Sequence, residues 1–178
     1  MITPLENYKQ RLLDFRQAKL ASFFKLLFFF LVSINASCAR EIVGPVIGIA
    51  DGDTLFILDQ KNKTRFTVRL TEIDAPERNQ AFGKRSRQSL SQLCYRKIAR
   101  IKSHGRDRYN RILGRVYCNG VDANAEQIRR GLAWAYSRYL DDSRLYVLQD
   151  EARNAKRGLW IDKDPVPPWR FRRQHKSH

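Results

Sequence analysis

The sequence predicts an α+β domain in which five short strands close into a small barrel and about three α-helices pack against it. Between residues 45 and 117, β-branched and aromatic runs are separated by turn residues, which is typical of short strands. After residue 121 the pattern becomes helical, with capping residues before the apolar runs. Five short strands interleaved with helices favour a barrel of the OB type.

The predicted strands cover residues 46–50, 54–58, 64–71, 98–103 and 112–117. Asp51-Gly52-Asp53 forms a turn between the first two strands, and Lys61-Asn62-Lys63 forms the next turn. In the third strand, Phe66, Val68 and Leu70 alternate with Arg and Thr. Because successive side chains point to opposite faces of a strand, one face of this strand belongs to the core and the other is cationic.

A first helix is predicted over residues 85–96, between the third and fourth strands. A second helix should run to Ala135 and a third should end before Gly158, which is suited to follow the last turn of a helix. The candidate N-caps are Asp122 or Asn124 for the second helix and Asp142 or Ser143 for the third.

The chain is strongly basic, which indicates a polyanionic partner. Its 178 residues include 34 Lys or Arg and 18 Asp or Glu, a formal charge of +16. A hydrophobic content of 43% excludes a disordered basic tail. Nucleic acid is therefore the first candidate partner and an anionic membrane surface the second. The tail from Pro165 to His178 is rich in Pro and Arg and has no acid, so we expect it to be extended and able to contact a polyanion.

The amino end has the pattern of an export signal. A basic stretch precedes an apolar block at residues 23–34, and the small residues of Ser37-Cys38-Ala39 follow it. The apolar run 26–34 is shorter than the ~20 residues that a membrane-spanning helix needs. We expect cleavage before about Arg40 and a secreted or periplasmic product. A later translation start, a retained anchor and lipidation at Cys38 stay open as alternatives.

The expected organisation has three parts: an export segment at residues 1–39, a folded domain at 40–164 and a basic tail at 165–178. After export, Cys94 and Cys118 are the only cysteines left and could pair in an oxidising compartment, or stay as buried thiols. A zinc site is disfavoured, because the chain has no CxxC pair and its three histidines lack zinc-binding spacing.

Three short polar segments carry candidate chemistry. Asp51-Gly52-Asp53-Thr54 presents carboxylates at a strand boundary, which suits a cation that prefers oxygen ligands. In the segment 69–77, Asp74 could join Asp53 on a metal, Glu77 could orient or deprotonate a water, and Arg69 could bind a phosphate.

The third segment, residues 107–111, is a polar turn. Its Arg111 could neutralise charge in a phosphorane-like transition state. Taken singly, each of the three segments is also compatible with an ordinary hairpin or with solvated ion pairs.

Together these segments resemble the staphylococcal nuclease (thermonuclease) family. In order, the chain carries the Asp-Gly-Asp-Thr turn at residues 51–54, an Arg-Leu-x-x-Ile-Asp-x-Pro-Glu stretch at 69–77, an Asp-x-Tyr-x-Arg turn at 107–111 and a Gly-Leu-Ala helix segment at 131–133. The resemblance extends over residues 46–160.

The resemblance implies a Ca²⁺-dependent phosphodiesterase on an OB-type barrel, a monomer that cleaves single-stranded or locally opened DNA and RNA to 3′-phosphate products. By position, the implied Ca²⁺ ligands are Asp53, Asp74 and the backbone carbonyl of Ala75, with Asp51 behind them. The implied catalytic residues are Arg69, Arg111 and the water-activating base Glu77. Arg108 and Tyr109 would contact a terminal phosphate of the substrate, and Tyr136 would stack on a base.

The chain departs from the type enzyme at three places. Ala75 replaces a threonine, which is tolerated if only the carbonyl coordinates. Asn110 replaces a glycine, and asparagine accepts a left-handed backbone better than other residues do. Residues 78–82 form a shorter segment than the mobile loop of the type enzyme, so the resemblance does not extend to substrate gating by this loop.

Two other functions stay open from the sequence. One is a nucleic-acid-binding module on the same barrel without turnover, and the other is a cationic envelope protein that binds acidic polymers or anionic lipid. Loss of a carboxylate or an arginine would favour the first, but the five metal-binding and catalytic side chains are all present.

Overall fold

The computed structural model describes residues 41–136 and 142–175 of the chain. Its strands are β1 (Glu41–Ile49), β2 (Thr54–Asp59), β3 (Thr64–Leu70), β4 (Ile73–Asp74), β5 (Ile98–Arg106), β6 (Ile112–Cys118), β7 (Val121–Asp122) and β8 (Trp134–Ala135). Its α-helices are α1 (Gly83–Cys94), α2 (Ala123–Arg129), α3 (Arg144–Asn154) and α4 (Pro168–Gln174), and a 3-10 helix covers Gly158–Ile161.

The predicted export segment at residues 1–39, including Cys38, lies outside the described residues. Within the residues that are described, no helix combines the length and the apolar character needed to cross a membrane.

Five strands close into a barrel. They are hydrogen-bonded in the order β3-β2-β1-β5-β6, and β3 then pairs with β6 to complete the circle. The closing pair is parallel, with Val68 opposite Ile112 and Leu70 opposite Gly114, whereas the other neighbours run antiparallel. The predicted α+β fold with a five-stranded OB-type barrel is therefore confirmed.

The alternation in β3 is confirmed as well. Val68 and Leu70 are fully buried in the barrel core, and Arg65 on the opposite face is exposed. The first strand is longer than predicted, since β1 begins at Glu41 and its residues 41–45 pair with the start of β5. Gly44 and Pro45 obscured this extension, because both residues are depleted in strands.

Helix α1 covers residues 83–94, two residues earlier than predicted at each end. Its last residue, Cys94, forms a disulfide with Cys118 at the end of β6, and both cysteines are buried. In the chain-entropy model, closing a loop of this length stabilises a domain by roughly 3 kcal/mol. The bridge fixes the helix to the barrel.

The second helix ends earlier than the predicted Ala135, so the expectation of helix at residues 131–133 was wrong. Gly131 adopts a left-handed φ of +65° just after α2. Its N–H donates to the Ile128 carbonyl at 2.8 Å, and the N–H of Leu132 donates to the Gln127 carbonyl at 2.9 Å. These two bonds form a Schellman motif, which terminates the helix and frees the next residues to form β8.

The third helix also ends early. The left-handed residue that terminates it is Lys156, with a φ of +51°, and not Gly158 two residues later. Gly158 instead starts the 3-10 helix, and a Cβ on it would lie only 2.7 Å from the Gly131 carbonyl carbon. The glycine is needed for this close approach between two segments, whereas the sequence pattern predicts it as the residue that ends the helix.

The carboxyl tail was predicted to be extended, and this was wrong for residues 168–174, which form α4. Pro168 occupies the first turn of the helix, where its missing N–H costs no hydrogen bond. Trp169 packs against a small apolar cluster made by Trp134, Ala152, Leu159 and Trp160. The tail is therefore a packed part of the domain up to residue 175.

Candidate functional site

The turn between β1 and β2 brings Asp53 to the inner end of the site. The Asp53 N–H donates to Asp51 Oδ1 at 3.1 Å, and this bond tightens the turn. Gly52 is required between them, since a Cβ there would lie 2.7 Å from the Cβ of Ala75. The Gly52 carbonyl accepts a 2.7 Å hydrogen bond from Gln127 Nε2 of α2. The barrel and α2 together therefore fix the position of Asp53.

Arg69 joins the two aspartates of the site. Its Nη1 lies 3.0 Å from Asp53 Oδ2, and its Nη2 lies 3.2 Å from Asp74 Oδ1. Asp53 Oδ2 also accepts a 2.9 Å bond from the N–H of Ala75. The structure thus brings together residues from the 51–54 turn and the 69–77 segment.

Asp74 is held in β4 by a pairing that the sequence did not predict. Asp74 lies opposite Trp134 of β8 in a two-stranded sheet. Glu72 directly precedes β4; it is buried and has a left-handed φ of +64°. The backbone carbonyl of Glu72 accepts from the N–H of Tyr136 at 2.8 Å. This arrangement fixes the orientation of Asp74 and the start of the Tyr136 segment together.

A partly buried arginine supports this bend. Arg115 of β6 lies 3.2 Å from Glu72 Oε2, 2.7 Å from Asp122 Oδ2 and 2.8 Å from Asp142 Oδ2. Burial acts to lower the pKa of Arg115, but bonds to Asp122 and the other carboxylates outweigh it and raise the pKa above its usual value. Arg115 therefore stays ionised. Through Glu72, Asp122 and Asp142 it connects the residue before β4, the N-cap of α2 and the segment that leads into α3.

Negative charge is concentrated at the inner end of the site. Burial raises the pKa of Asp51 to about 7, and the charge of Asp53 adds to this rise. Burial also raises the pKa of Asp74, with Asp53 again adding to the effect, although Arg172 and Arg69 oppose it. The charge of Asp53 makes ionisation of Asp51 and of Asp74 harder, so a cation among them would be stabilising.

Glu77 lies at the outer edge of the site. Its backbone N–H donates to Gln80 Oε1 at 3.1 Å, which holds the loop without using the carboxylate. The Glu77 carboxylate accepts from Arg172 of α4 at 2.7 Å. The same guanidinium donates to both carboxylate oxygens of Asp74, at 3.0 and 2.7 Å. Arg172 therefore links Glu77 to Asp74.

The 107–111 turn carries basic residues just before β6. Asp107 Oδ2 accepts from Arg111 Nε at 2.8 Å, and Tyr109 is 71% exposed beside Arg108. Asn110 adopts a φ of +61°, a left-handed conformation that asparagine accepts better than most residues do. The parallel register places Leu113 opposite Arg69, and Arg111 directly precedes β6, two residues before Leu113.

Tyr136 meets the carboxyl-terminal helix. Its ring centroid lies 5.6 Å from that of Trp169, and Trp169 also lies 5.7 Å from Trp134. The ring of Tyr136, which was expected to stack on a base, therefore contacts α4.

The site contains residues that sequence reasoning missed. From the sequence, Arg172 is only part of the basic tail, and Arg115 and Gln127 have no predicted role. Gln127 would have been hard to find, because its role depends on a fully buried side chain that donates to the carbonyls of Gly52 and Ser86. A signal for Arg172 was present, since Pro168 and Trp169, four and three residues before it, mark a helix start with an apolar anchor.

The chain is similar to known nucleases. Residues 67–162 match the family model of the staphylococcal nuclease homologue. A protein of Escherichia coli named "uncharacterized endonuclease" is 44% identical over 147 residues, which cover 82% of this chain and 94% of the relative. The micrococcal nuclease of Shigella flexneri is 39% identical over 155 residues, covering 81% of this chain and 88% of the relative. A staphylococcal-like nuclease of Arabidopsis thaliana is 33% identical over 113 residues, covering 64% of this chain and 35% of the relative.

Proposed function

The chain belongs to the staphylococcal nuclease family, and on that premise we propose that it is a Ca²⁺-dependent phosphodiesterase that hydrolyses DNA and RNA with little sequence preference. We further propose that its products carry 3′-phosphates. The observation that carries the proposal is the grouping of Asp53, Arg69 and Asp74 within hydrogen-bond distances, with Glu77 connected to Asp74 through one side chain.

The donor atoms of the site fit a calcium ion. Asp53 and Asp74 offer carboxylate oxygens, which this ion prefers, and their mutual repulsion favours a cation between them. In the described ranges no three or more His, Cys, Asp or Glu side chains are grouped as a metal site, so the backbone carbonyl of Ala75, waters and a substrate oxygen would complete the ligand set. A bound Ca²⁺ would supply Lewis-acid polarisation of a phosphate oxygen.

The protein side chains have separate tasks in this proposal. Glu77 accepts a proton at its carboxylate from the attacking water and orients that water in line with the phosphorus; the P–O5′ bond breaks, and the leaving 5′-oxygen takes a proton from water. Arg69 of β3 and Arg111, which directly precedes the β6 strand paired with β3, bind the equatorial phosphate oxygens. Charge on these oxygens increases in the transition state, so both guanidinium contacts should strengthen there.

Three further side chains are proposed to bind the substrate. Arg108 and Tyr109 contact its terminal phosphate from the exposed 107–111 turn, and Tyr136 stacks on a base. Asp51 lies behind Asp53 and shapes its turn by accepting the hydrogen bond of the Asp53 N–H.

A basic cavity beside the site supports a polyanionic substrate. Its volume is about 570 Å³, and its lining residues include Arg78, Lys84 and Arg85. These cations follow Glu77 in the chain. A nucleic-acid strand with one phosphate bound at the site could therefore place its neighbouring phosphates near them. Binding of this kind weakens with salt and is largely independent of sequence.

We expect Ca²⁺ removal to abolish cleavage. The purified chain is incubated with single-stranded DNA and with RNA of mixed sequence, with Ca²⁺ or with excess chelator, and the product ends are identified. Cleavage to 3′-phosphates should occur with Ca²⁺ only, and Mg²⁺ should substitute poorly because it requires a tighter octahedral ligand set.

Full cleavage in chelator would contradict the role of the metal. Binding of both polymers without any product would instead support the binding-only module on the same barrel. The Asp53→Asn variant keeps the size of the side chain but removes a proposed Ca²⁺ ligand, so it should lose Ca²⁺-dependent cleavage.

We also propose that the protein is exported and begins near Arg40. The Cys94–Cys118 bridge supports this proposal, because structural disulfides persist in oxidising compartments. The expected result is an exported product whose amino terminus lies near residue 40 and whose two cysteines resist thiol labelling until a reductant is added. Labelling of both cysteines in the unreduced exported product would rule out the bridge, and an intact amino terminus would favour a retained anchor.

A further inference from the structure

The carboxyl-terminal segment is attached to the domain at several points before it reaches the site. The Val166 carbonyl accepts a 2.6 Å bond from Gln80 Nε2, and the Gln80 Oε1 binds the N–H of Glu77. Pro168 is buried and Trp169 lies between Trp134 and Tyr136. The segment is therefore seated against the residues that surround the carboxylates.

Arg172 extends from the same face of α4 as Trp169, because residues three apart in a helix are neighbours. Its guanidinium binds Asp74 through both oxygens, at 3.0 and 2.7 Å, and Glu77 Oε1 at 2.7 Å. The Asp74 side chain is almost completely buried, at 1% exposure. Arg172 is thus a second cation, beside Arg69, bound at a carboxylate that is almost completely buried.

This contact competes with the tasks assigned to the two carboxylates. Arg172 engages both oxygens of Asp74, and Arg69 also binds Oδ1, so a metal ion ligated by Asp74 would have to displace the guanidinium of Arg172 from them. Arg172 also engages Glu77 Oε1, which leaves the other carboxylate oxygen to accept a proton from water. Trp169 occupies one side of Tyr136 at the same time.

We propose that α4 is an autoinhibitory element, in which Arg172 competes with Ca²⁺ for Asp74 and Trp169 competes with a substrate base for Tyr136. The proposal rests on the proposed function, because it takes Asp74 as a metal ligand. Binding of Ca²⁺ and nucleic acid would then release α4 from the site.

The helix is suited to reversible release. It has seven residues, which is too short for stable helix formation without tertiary contacts. The side chain of Arg172 is 38% exposed, so water can replace its hydrogen bonds. If α4 is docked in about 90% of molecules, the apparent Kd for Ca²⁺ is roughly tenfold weaker than the intrinsic one.

The test measures Ca²⁺ binding by calorimetry on the full chain, with Arg172→Ala and Arg173→Ala variants. Arg173 is exposed on the same helix, so its replacement removes the same charge without breaking the contact with Asp74. We expect Arg172→Ala to bind Ca²⁺ roughly tenfold more tightly and Arg173→Ala to match the wild type. Hydrogen exchange of residues 168–174 should accelerate when Ca²⁺ is added to the wild type.

Several results would overturn the proposal. Equal Ca²⁺ affinity of Arg172→Ala and wild type would do so, and so would exchange of α4 that is unchanged by Ca²⁺. If the proteins still cleave nucleic acid in these cases, the proposed function survives and only the autoinhibition fails. If no variant binds Ca²⁺ or cleaves, the proposed function fails as well. An equal gain in Arg173→Ala would assign the effect to net charge and not to the contact.

Discussion

Replacing Glu77 with glutamine should lower the turnover number by roughly 100- to 10,000-fold, while the domain stays folded. The amide cannot accept the proton of the attacking water, and it keeps almost the same volume. The loop should persist, because Gln80 binds the backbone N–H of Glu77 and not its carboxylate. The measurement is kcat on a single-stranded oligonucleotide with saturating Ca²⁺, together with a thermal unfolding curve of each protein.

Glu151→Gln is the matched control. Glu151 is exposed on α3, so this variant removes one carboxylate at a site that takes no part in the proposed chemistry. Its kcat should equal that of the wild type. Glu77 also binds Arg172, but saturating Ca²⁺ and substrate should already have released α4, so loss of this contact should not change kcat. A near-normal kcat in Glu77→Gln would therefore remove Glu77 from the mechanism.

The parts of the fold that follow from local patterns were predictable. The alternation of Val68 and Leu70 with polar residues placed β3 correctly, and five short runs were enough to predict the barrel. The errors occurred where long-range contacts outweigh local propensity. Residues 131–133 looked helical, but Gly131 ends α2 and the next residues pair with β4, which is more than fifty positions away in the chain.

The candidate site shows the same division. Motif order was sufficient to predict that the 51–54 turn and the 69–77 segment meet, and the structure brings Asp53, Arg69 and Asp74 together. The contact of Arg172 with Asp74 could not be predicted, since 98 positions separate them and no local pattern encodes the pair. The role of Arg115 was hidden for the same reason, because its three carboxylate partners come from separate parts of the chain.

Replacing Arg111 with alanine should lower kcat by roughly 100- to 1,000-fold, the effect of losing one donor to a developing oxyanion. The turn itself should be kept, since Asp107 Oδ1 also accepts from the backbone N–H groups of Tyr109 and Arg111. Arg111→Lys should recover only part of the loss, because an ammonium keeps the charge but lacks the planar fork that binds two phosphate oxygens. Single-turnover rates at saturating substrate separate the chemical step from binding.

Arg100→Ala is the charge-matched control for this prediction. Arg100 lies on β5 opposite Tyr117, at the other end of the β5–β6 pairing from Ile112, and is exposed. Its loss should act on KM through the general attraction of the basic surface for the substrate, with kcat retained. If Arg111→Ala also changed KM alone, Arg111 would only bind substrate. The proposed stabilisation of the transition state would then depend on Arg69, which contacts both Asp53 and Asp74.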